Sequence, residues 1–292
     1  MLPPSCPLCD RAIGSDQDFC SSCRLALVVS ESSMNQACRR CGVPAPQRFH
    51  SAPKPSKQAT GLADPGQKDT VAIPEPLLDA PLGTAGSDPD PCGASPVGKM
   101  VQTEPVPCLH CRNQSFQFRE VVTLWSYHDR VCDAVVAAKY AYRTALGDAL
   151  GRRLGRRVTD FFSDRELPDV VTYIPSHFVR QFSRGGNGNR VIAQAVARVM
   201  GCKCRLPLKT TRRMRKQAWL DDAERVRNVC DAFSLKRSYD LARSRQIAGK
   251  HFLVVDDVLT TGATANEVAS ILLLAGARRV SLAVVARAIR SN

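Results

Sequence analysis

The chain has 292 residues, room for one or two domains, and 44% of them are hydrophobic, enough for a sizeable core. It has no apolar run long enough to cross a bilayer, and Met1-Leu2-Pro3-Pro4 does not open a secretory signal, so the expectation is a soluble cytoplasmic protein. The formal net charge of +14 is uneven, −2 over residues 1–107 and +16 over 108–292, which fits a polyanionic ligand or a solvated basic surface.

Thirteen cysteines are present, and eight of them fall in four Cys-x-x-Cys pairs: Cys6/Cys9, Cys20/Cys23, Cys38/Cys41 and Cys108/Cys111. Such a turn supplies two thiolates at the separation tetrahedral zinc requires. Without an export signal, metal is favoured over disulfides. Four pairs can close two structural Zn²⁺ sites. The spacing from Cys9 to Cys20 suits a sequential ribbon, and a cross-braced pairing stays open. His110 reads as a bystander.

Residues 43–107 hold 13 of the 19 prolines and no lasting apolar period. A segment so poor in buriable surface cannot offset backbone ordering, so it reads as a disordered insert.

From Cys108 onward, strand-like and helix-like segments alternate. Val121 to Tyr127 predicts a strand. Asp129 to Tyr140 predicts a helix with Val131, Val135, Val136 and Ala138 on its apolar face. Thr144 to Phe162 predicts another helix, with Leu146, Leu150, Leu154, Val158 and Phe161 spaced by three or four. Asp169 to Ile174 is a β-branched strand ending at Pro175. A basic, glycine-rich loop and a helix from about Arg190 to Met200 follow. Asp221 to Phe233 predicts a third helical stretch. His251 to Val255 is almost wholly apolar, as a central parallel strand should be. Ala263 to Ala275 is the next helix, closed by Gly276, and Val280 to Ala286 the last strand. This β-loop-α-turn-β order predicts a right-handed crossover and a parallel sheet.

The sharpest feature is Val254-Val255-Asp256-Asp257-Val258-Leu259-Thr260-Thr261-Gly262-Ala263-Thr264, at the carboxyl end of a buried strand, where ligands bind in open α/β sheets. Thr260, Thr261 and Thr264 offer hydroxyl donors. Gly262 lets the backbone turn tightly, and with Ala263 it leads into helix amides that attract an anion. The loop suits a terminal monophosphate. Asp256 and Asp257 would repel that phosphate and suit sugar hydroxyls or Mg²⁺ instead. An ordinary strand followed by a polar turn would need fewer of these residues together.

This run resembles the phosphoribosyl pyrophosphate motif of type I phosphoribosyltransferases. Ile174-Pro175-Ser176, with Arg180, Arg184, Gly185, Gly186 and Asn187, forms a second segment. Gln217, Leu220, Arg225, Asn228, Ala232 and Phe233 form a third. Together with Lys139-Tyr140 and the cysteine pairs, they resemble the ComF/ComFC family. Three positions depart from the family pattern: Gly186 where an aromatic residue is usual, Gly188 where glutamine is usual, and Met214 where threonine is usual three residues before Gln217.

The resemblance implies an α/β fold, a type I phosphoribosyltransferase-like parallel sheet flanked by helices, with a small N-terminal double zinc ribbon. Residues 1–42 and 108–118 would form the ribbon and 119–292 the phosphoribosyltransferase-like domain. It implies Asp256 and Asp257 as the acidic pair, Thr260 to Thr264 as the 5′-phosphate loop, Pro175 and Ser176 near pyrophosphate, and Arg184 with Lys139 as leaving-group partners. It also implies a role in natural transformation, the uptake of single-stranded DNA at the inner membrane face. Mg²⁺ would accompany phosphoribosyl pyrophosphate or a nucleotide. Catalysis would displace pyrophosphate from ribose C1. A second reading is a nucleic-acid-binding protein regulated by a phosphoribosyl ligand, gripping backbone with Arg152-Arg153, Arg156-Arg157 and Arg212 to Lys216, beside Trp219. On an amphipathic helix, Arg156 and Arg157 are expected to face solvent. A third reading, an ordinary salvage phosphoribosyltransferase, is disfavoured by the ribbon.

Overall fold

The computed structural model describes residues 4–14, 17–32, 34–44, 105–175, 187–211, 231–240 and 246–289. All of them belong to a compact unit built from Met1–Gln47 and Glu104–Asn292. The proline-rich insert lies almost wholly outside the described residues, as do Arg212 to Lys216, Trp219 and the helix expected from Asp221.

Five strands form one parallel sheet, in the order β1 (Val121–Ser126), β7 (Arg279–Arg287), β6 (His251–Leu259), β2 (Val170–Tyr173) and β3 (Lys203–Cys204). The central strands are apolar on both sides because both faces are covered. Leu253, Val255, Ala283 and Val285 join one core with α2 (Asp129–Ala137), α3 (Thr144–Phe161) and α4 (Gly188–Met200). Phe252, Val254, Leu282 and Val284 join the other with α6 (Ala263–Leu274) and an antiparallel pair, β4 (Leu208–Thr210) with β5 (Phe233–Leu235). The remaining helices are α1 (Ser21–Ser32) and the short α5 (Arg237–Asp240).

The expected apolar stripe of α3 is fully buried at Leu146, Leu150, Leu154 and Val158. Glycines beside it let α3 approach α4 closely. A Cβ at Gly151 would lie 2.5 Å from Ala195 Cβ, and one at Gly155 would lie 2.8 Å from Val199 Cβ.

Other expectations are corrected. The helix from Asp129 ends at Ala137, short of Tyr140, and Val136 is 47% exposed. The buried face is Val131, Ala134, Val135 and Ala138, the i, i+3, i+4, i+7 set, and Val136 lies off that stripe. Phe233, expected to end a helix, instead opens β5, where it pairs with Thr210. The strand from His251 does not stop at Val255 but runs on through the acidic pair to Leu259.

Candidate functional site

The eight paired cysteines form two tetrads in sequential order, Cys6/Cys9/Cys20/Cys23 and Cys38/Cys41/Cys108/Cys111, the sulfur atoms of each lying within 4.8 Å of one another. Zinc–sulfur bonds of about 2.3 Å imply tetrahedral sulfur–sulfur edges of about 3.8 Å. Cys9 and Cys20 sulfurs are 3.5 Å apart, Cys41 and Cys108 3.6 Å, Cys108 and Cys111 3.7 Å, and Cys38 and Cys111 3.9 Å. Both tetrads therefore fit zinc. His110 belongs to neither. In each, backbone amides favour one thiolate. The Cys23 amide lowers Cys20 to about 7. Burial opposes ionisation of Cys38, but amides of Cys41 and Arg40 outweigh it and bring that thiol down to about 7.

The five strands of the main sheet being parallel, their carboxyl ends share one edge. There the chain leaves β2 toward β3 on one side and leaves β6 toward β7 on the other, the switch point where α/β sheets bind ligands. The β2–β6 ladder ends at Tyr173 opposite Val255, whereas β6 continues beside β7 to Leu259. Asp256 and Asp257 thus stand just beyond the end of β2, at the mouth of the crevice.

Among the described residues, two side chains hold this pair. Asn189, in the first turn of α4, donates from Nδ2 to Asp256 Oδ1 at 2.7 Å. Lys139, just after α2, sets its Nζ 2.8 Å from Asp257 Oδ2. Burial first, and the charge of Asp257 second, push the Asp256 carboxyl up to about 7, against the pull of the Asp257 amide, Lys139 and Asn189.

The loop follows directly. Thr260 and Thr261 are partly exposed, and Thr261 Oγ1 accepts from the Ala263 amide at 3.4 Å. Gly262 caps α6 at φ +85°, a left-handed conformation that side-chain-bearing residues resist. Ala263 and Thr264 open the helix. Pro175 is buried just past the end of β2, at the same edge. Ser176 and Arg184 lie outside the described residues.

Asn187, expected as a signature residue, caps α4 by accepting from the Arg190 amide. Gly188 has a steric reason: a Cβ there would meet the Ala138 carbonyl oxygen at 2.4 Å. The glutamine usual at this position has no room, and Asn189 next to it brings an amide to the acidic pair. Sequence reasoning missed Asn189. It also missed Arg287, the last residue of β7, whose guanidinium donates to the carbonyls of Cys41, Leu259 and Thr260.

Arg156 faces solvent, as expected of an amphipathic helix, but the arginines of α3 are held by partners rather than left as an open basic surface. Arg152 pairs with Asp18 at 2.5 Å and with Asp148, and Arg156 pairs with Asp18 at 2.9 Å. Arg153 pairs with Glu31 at 2.6 Å and lies over Trp125. Arg157 donates to Asn35 and to the Met34 carbonyl, both at 3.0 Å. Apart from Asp148, which lies on α3 itself, these partners belong to the N-terminal segment, so these cations hold the cysteine-bearing segment to the sheet domain.

Comparison with known protein families agrees with this architecture. Residues 1–56 match the double zinc ribbon domain and residues 184–291 the phosphoribosyl transferase domain. The DNA utilization protein YhgH of Escherichia coli K12 is 29% identical over 180 residues, covering 61% of this chain and 76% of that protein. Competence protein F of Haemophilus influenzae is 30% identical over 124 residues, 42% of this chain and 52% of that protein. Among solved structures, the B. subtilis glutamine phosphoribosylpyrophosphate amidotransferase is similar at 22% identity and a TM-score of 0.32, over 48% of this chain and 26% of that one. The TT1426 protein of Thermus thermophilus is similar at 18% identity and a TM-score of 0.30, over 50% of this chain and 84% of that one.

The chain joins a double zinc ribbon to a phosphoribosyltransferase-type domain. In that make-up and in its named relatives it matches the ComF family. Among the described residues, no helix is long and apolar enough to cross a membrane.

Proposed function

We propose that the crevice beyond β2 binds phosphoribosyl pyrophosphate, or a related phosphoribosyl ligand, with Mg²⁺, and that the protein serves DNA uptake in this ligand-dependent way. The observation that carries the reading is the acidic pair at the switch point, held by Asn189 and Lys139 and followed at once by the Thr260–Thr264 loop. Asp256 and Asp257 accept hydrogen bonds from the ribose 2′- and 3′-hydroxyls. The loop hydroxyls and the first amides of α6 receive the 5′-phosphate. Pro175, just past the end of β2, takes the pyrophosphate side, and the family resemblance assigns Ser176 to the same role. Mg²⁺, when present, neutralises pyrophosphate charge near the carboxylates. Lys139 gives up Asp257 to the ribose and turns to the pyrophosphate, the role that the family resemblance also assigns to Arg184. If the domain is catalytic, an acceptor base forms the new bond at ribose C1 as the bond from C1 to pyrophosphate breaks, the same groups hold the departing pyrophosphate, and the domain is then a pentosyltransferase.

Relatives named for DNA utilization and competence support the biological role. A nucleic-acid surface is favoured by a separate observation. A shallow cavity of about 530 Å³ at the β3 edge is lined by Lys203, Arg205 and Lys236 with Tyr239, cations beside an aromatic ring as single strands require.

Calorimetric titration of the zinc-loaded protein with Mg²⁺ and phosphoribosyl pyrophosphate tests the reading. Wild type is expected to bind. Asp257→Asn should lose roughly 1.5–3 kcal/mol of binding, the worth of a charged hydrogen bond. Gly262→Val should lose more, because its φ of +85° resists a β-branched residue. Absence of heat with phosphoribosyl pyrophosphate, ribose 5-phosphate and nucleoside monophosphates alike would rule the reading out.

A further inference from the structure

The two cysteine tetrads meet the rest of the domain differently. Around the first, Asp10 pairs with Arg143 at 3.1 Å, and Asp18 takes Arg152 and Arg156 of α3. The second reaches the candidate phosphate loop by three separate links.

The first link is Arg287, only 4% exposed. Its Nε donates to the Cys41 carbonyl at 2.9 Å, while one terminal nitrogen donates to the Leu259 carbonyl at 3.0 Å and also to that of Thr260. One planar fork thus ties a ligand residue of the tetrad to the backbone that opens the loop. The second link is the Gln117 amide, which donates to Asn266 Oδ1 at 2.6 Å in the first turn of α6. Gln117 lies six residues beyond Cys111. The third is the stacked pair Phe116 and Phe118, with ring centres 4.6 Å apart. A Cβ at Gly262 would lie 3.4 Å from the first ring and 3.6 Å from the second.

The tetrad side is just as tightly set. Gly42, next to Cys41, has φ +72°, and a Cβ there would lie 2.5 Å from Thr123 Oγ1. The Cys41 carbonyl therefore has little freedom while the knuckle is intact. Four thiolates around a divalent ion leave a net negative site, which also favours the buried guanidinium beside it. If the knuckle opens, Nε loses its acceptor in a buried place, and that loss falls on the same group that fixes Leu259 and Thr260.

We propose that Arg287 is a positioning residue coupling the second tetrad to the phosphate loop, so that metal held by Cys38, Cys41, Cys108 and Cys111 and a phosphoribosyl ligand in the loop strengthen each other. Among the described residues, no such link joins the first tetrad to the loop, so its metal is expected to be indifferent to ligand. The inference rests on the phosphoribosyl reading of the site. Linkage requires the effect to be reciprocal: ligand must slow loss of one metal ion and not of the other.

The test follows zinc release from the wild-type protein to a zinc-selective chromophoric chelator, with and without Mg²⁺ and phosphoribosyl pyrophosphate. One of two zinc ions should leave at least about fivefold more slowly when ligand is bound, the lower end of ordinary coupling. A Cys9→Ser, Cys23→Ser variant, emptied at the first tetrad, should keep the protected ion. Arg287→Lys keeps the charge but not the fork. It should hold both ions, lose the protection and bind ligand more weakly by a similar factor. Ligand-independent release of both ions from a wild type that binds ligand by calorimetry would overturn the coupling alone. A wild type that binds no ligand would remove the phosphoribosyl reading and the coupling with it. If Arg287→Lys does not fold, the wild-type comparison decides.

Discussion

Asn189 donates a hydrogen bond to Asp256 at 2.7 Å, from a helix that can begin there only because Gly188 carries no side chain against Ala138. The contact favours the ionised carboxylate, yet burial and Asp257 still push Asp256 up to about 7. A carboxyl group whose folded pKa is raised costs stability once pH exceeds its ordinary range, and the cost is complete above the raised value.

Asp256→Asn should therefore melt higher than wild type at pH 8 and about equally at pH 4. Ligand binding runs the other way, because a ribose hydroxyl needs the carboxylate. Affinity should fall as pH drops below about 7, by up to about tenfold per pH unit for one proton taken up. Asn189→Ala removes a donor to the charged form and should move that fall to higher pH. Calorimetry from pH 6 to 8.5 checks this, with Asp256→Asn reporting the ligand's own ionisation. Parallel pH profiles for wild type and Asp256→Asn would contradict it.

Lys139 and Asp257 form the second contact of the pair, with 29% and 17% of their side chains exposed. A partly exposed ion pair contributes about 1 kcal/mol or less to stability, so Lys139→Met should melt close to wild type. Its effect on ligands should be selective. Affinity for phosphoribosyl pyrophosphate should drop about tenfold, as expected for a lost charged hydrogen bond, and affinity for ribose 5-phosphate much less. Equal losses for both ligands would place Lys139 away from the pyrophosphate.

Much of this site was legible because its chemistry is local. A strand, two carboxylates, three hydroxyls and a glycine lie in one short run, and the cysteine spacing announces zinc directly. What stayed hidden depends on distant pairing. Nothing near Asn189 marks it as a partner of Asp256, 67 residues away. Arg287 touches Cys41 across 246 residues. The ion pairs of the α3 arginines stayed hidden because their acidic partners, Asp18 and Glu31, are more than 120 residues distant. The end of α2 was overrun because no glycine or proline closely follows Ala137 to mark it, and Val136 was placed on the apolar face although it lies off the i, i+3, i+4, i+7 stripe. Sequential pairing of the tetrads needed the fold, since either order satisfies the same spacing.

Glu120 is the buried anion of the opposite region. It is 1% exposed and lies 3.1 Å from Arg279, 3.2 Å from Arg165 and 3.8 Å from Arg39, with Ser281 donating to it at 3.3 Å. Ser281 also meets the buried His251 ring at 2.8 Å. Burial and the charges of Arg279 and Arg278 hold that ring neutral, down to about 3. Glu120→Ala would leave three guanidinium groups without their common partner and should cost about 3–5 kcal/mol, the usual penalty for breaking a buried pair. Urea denaturation measures it. Zinc content should not change where the variant folds, because none of these groups is a ligand.

The last prediction separates two basic surfaces. The arginines of α3 are already matched: Arg152 and Arg156 share Asp18, and Arg153 holds Glu31. A nucleic-acid phosphate would have to displace a short ion pair at each of them. Lys203, Arg205 and Lys236 instead line a cavity with Tyr239, and there Arg205 donates to the neutral Gln246. If the protein binds single-stranded DNA, the Lys203→Ala, Lys236→Ala double variant should weaken binding and reduce its salt slope by about one to two, since each lost phosphate contact releases about 0.7 fewer counterions on a single strand. Tyr239→Ala should weaken binding with little change in slope, by about 1–3 kcal/mol if the ring stacks a base. Arg153→Ala should leave affinity and slope near wild type while lowering the melting temperature, because its partner Glu31 belongs to the fold. Fluorescence anisotropy with a labelled oligonucleotide over a range of salt reads all three. A loss of affinity confined to Arg153→Ala would move the nucleic-acid surface to α3 and make its ion pairs exchangeable.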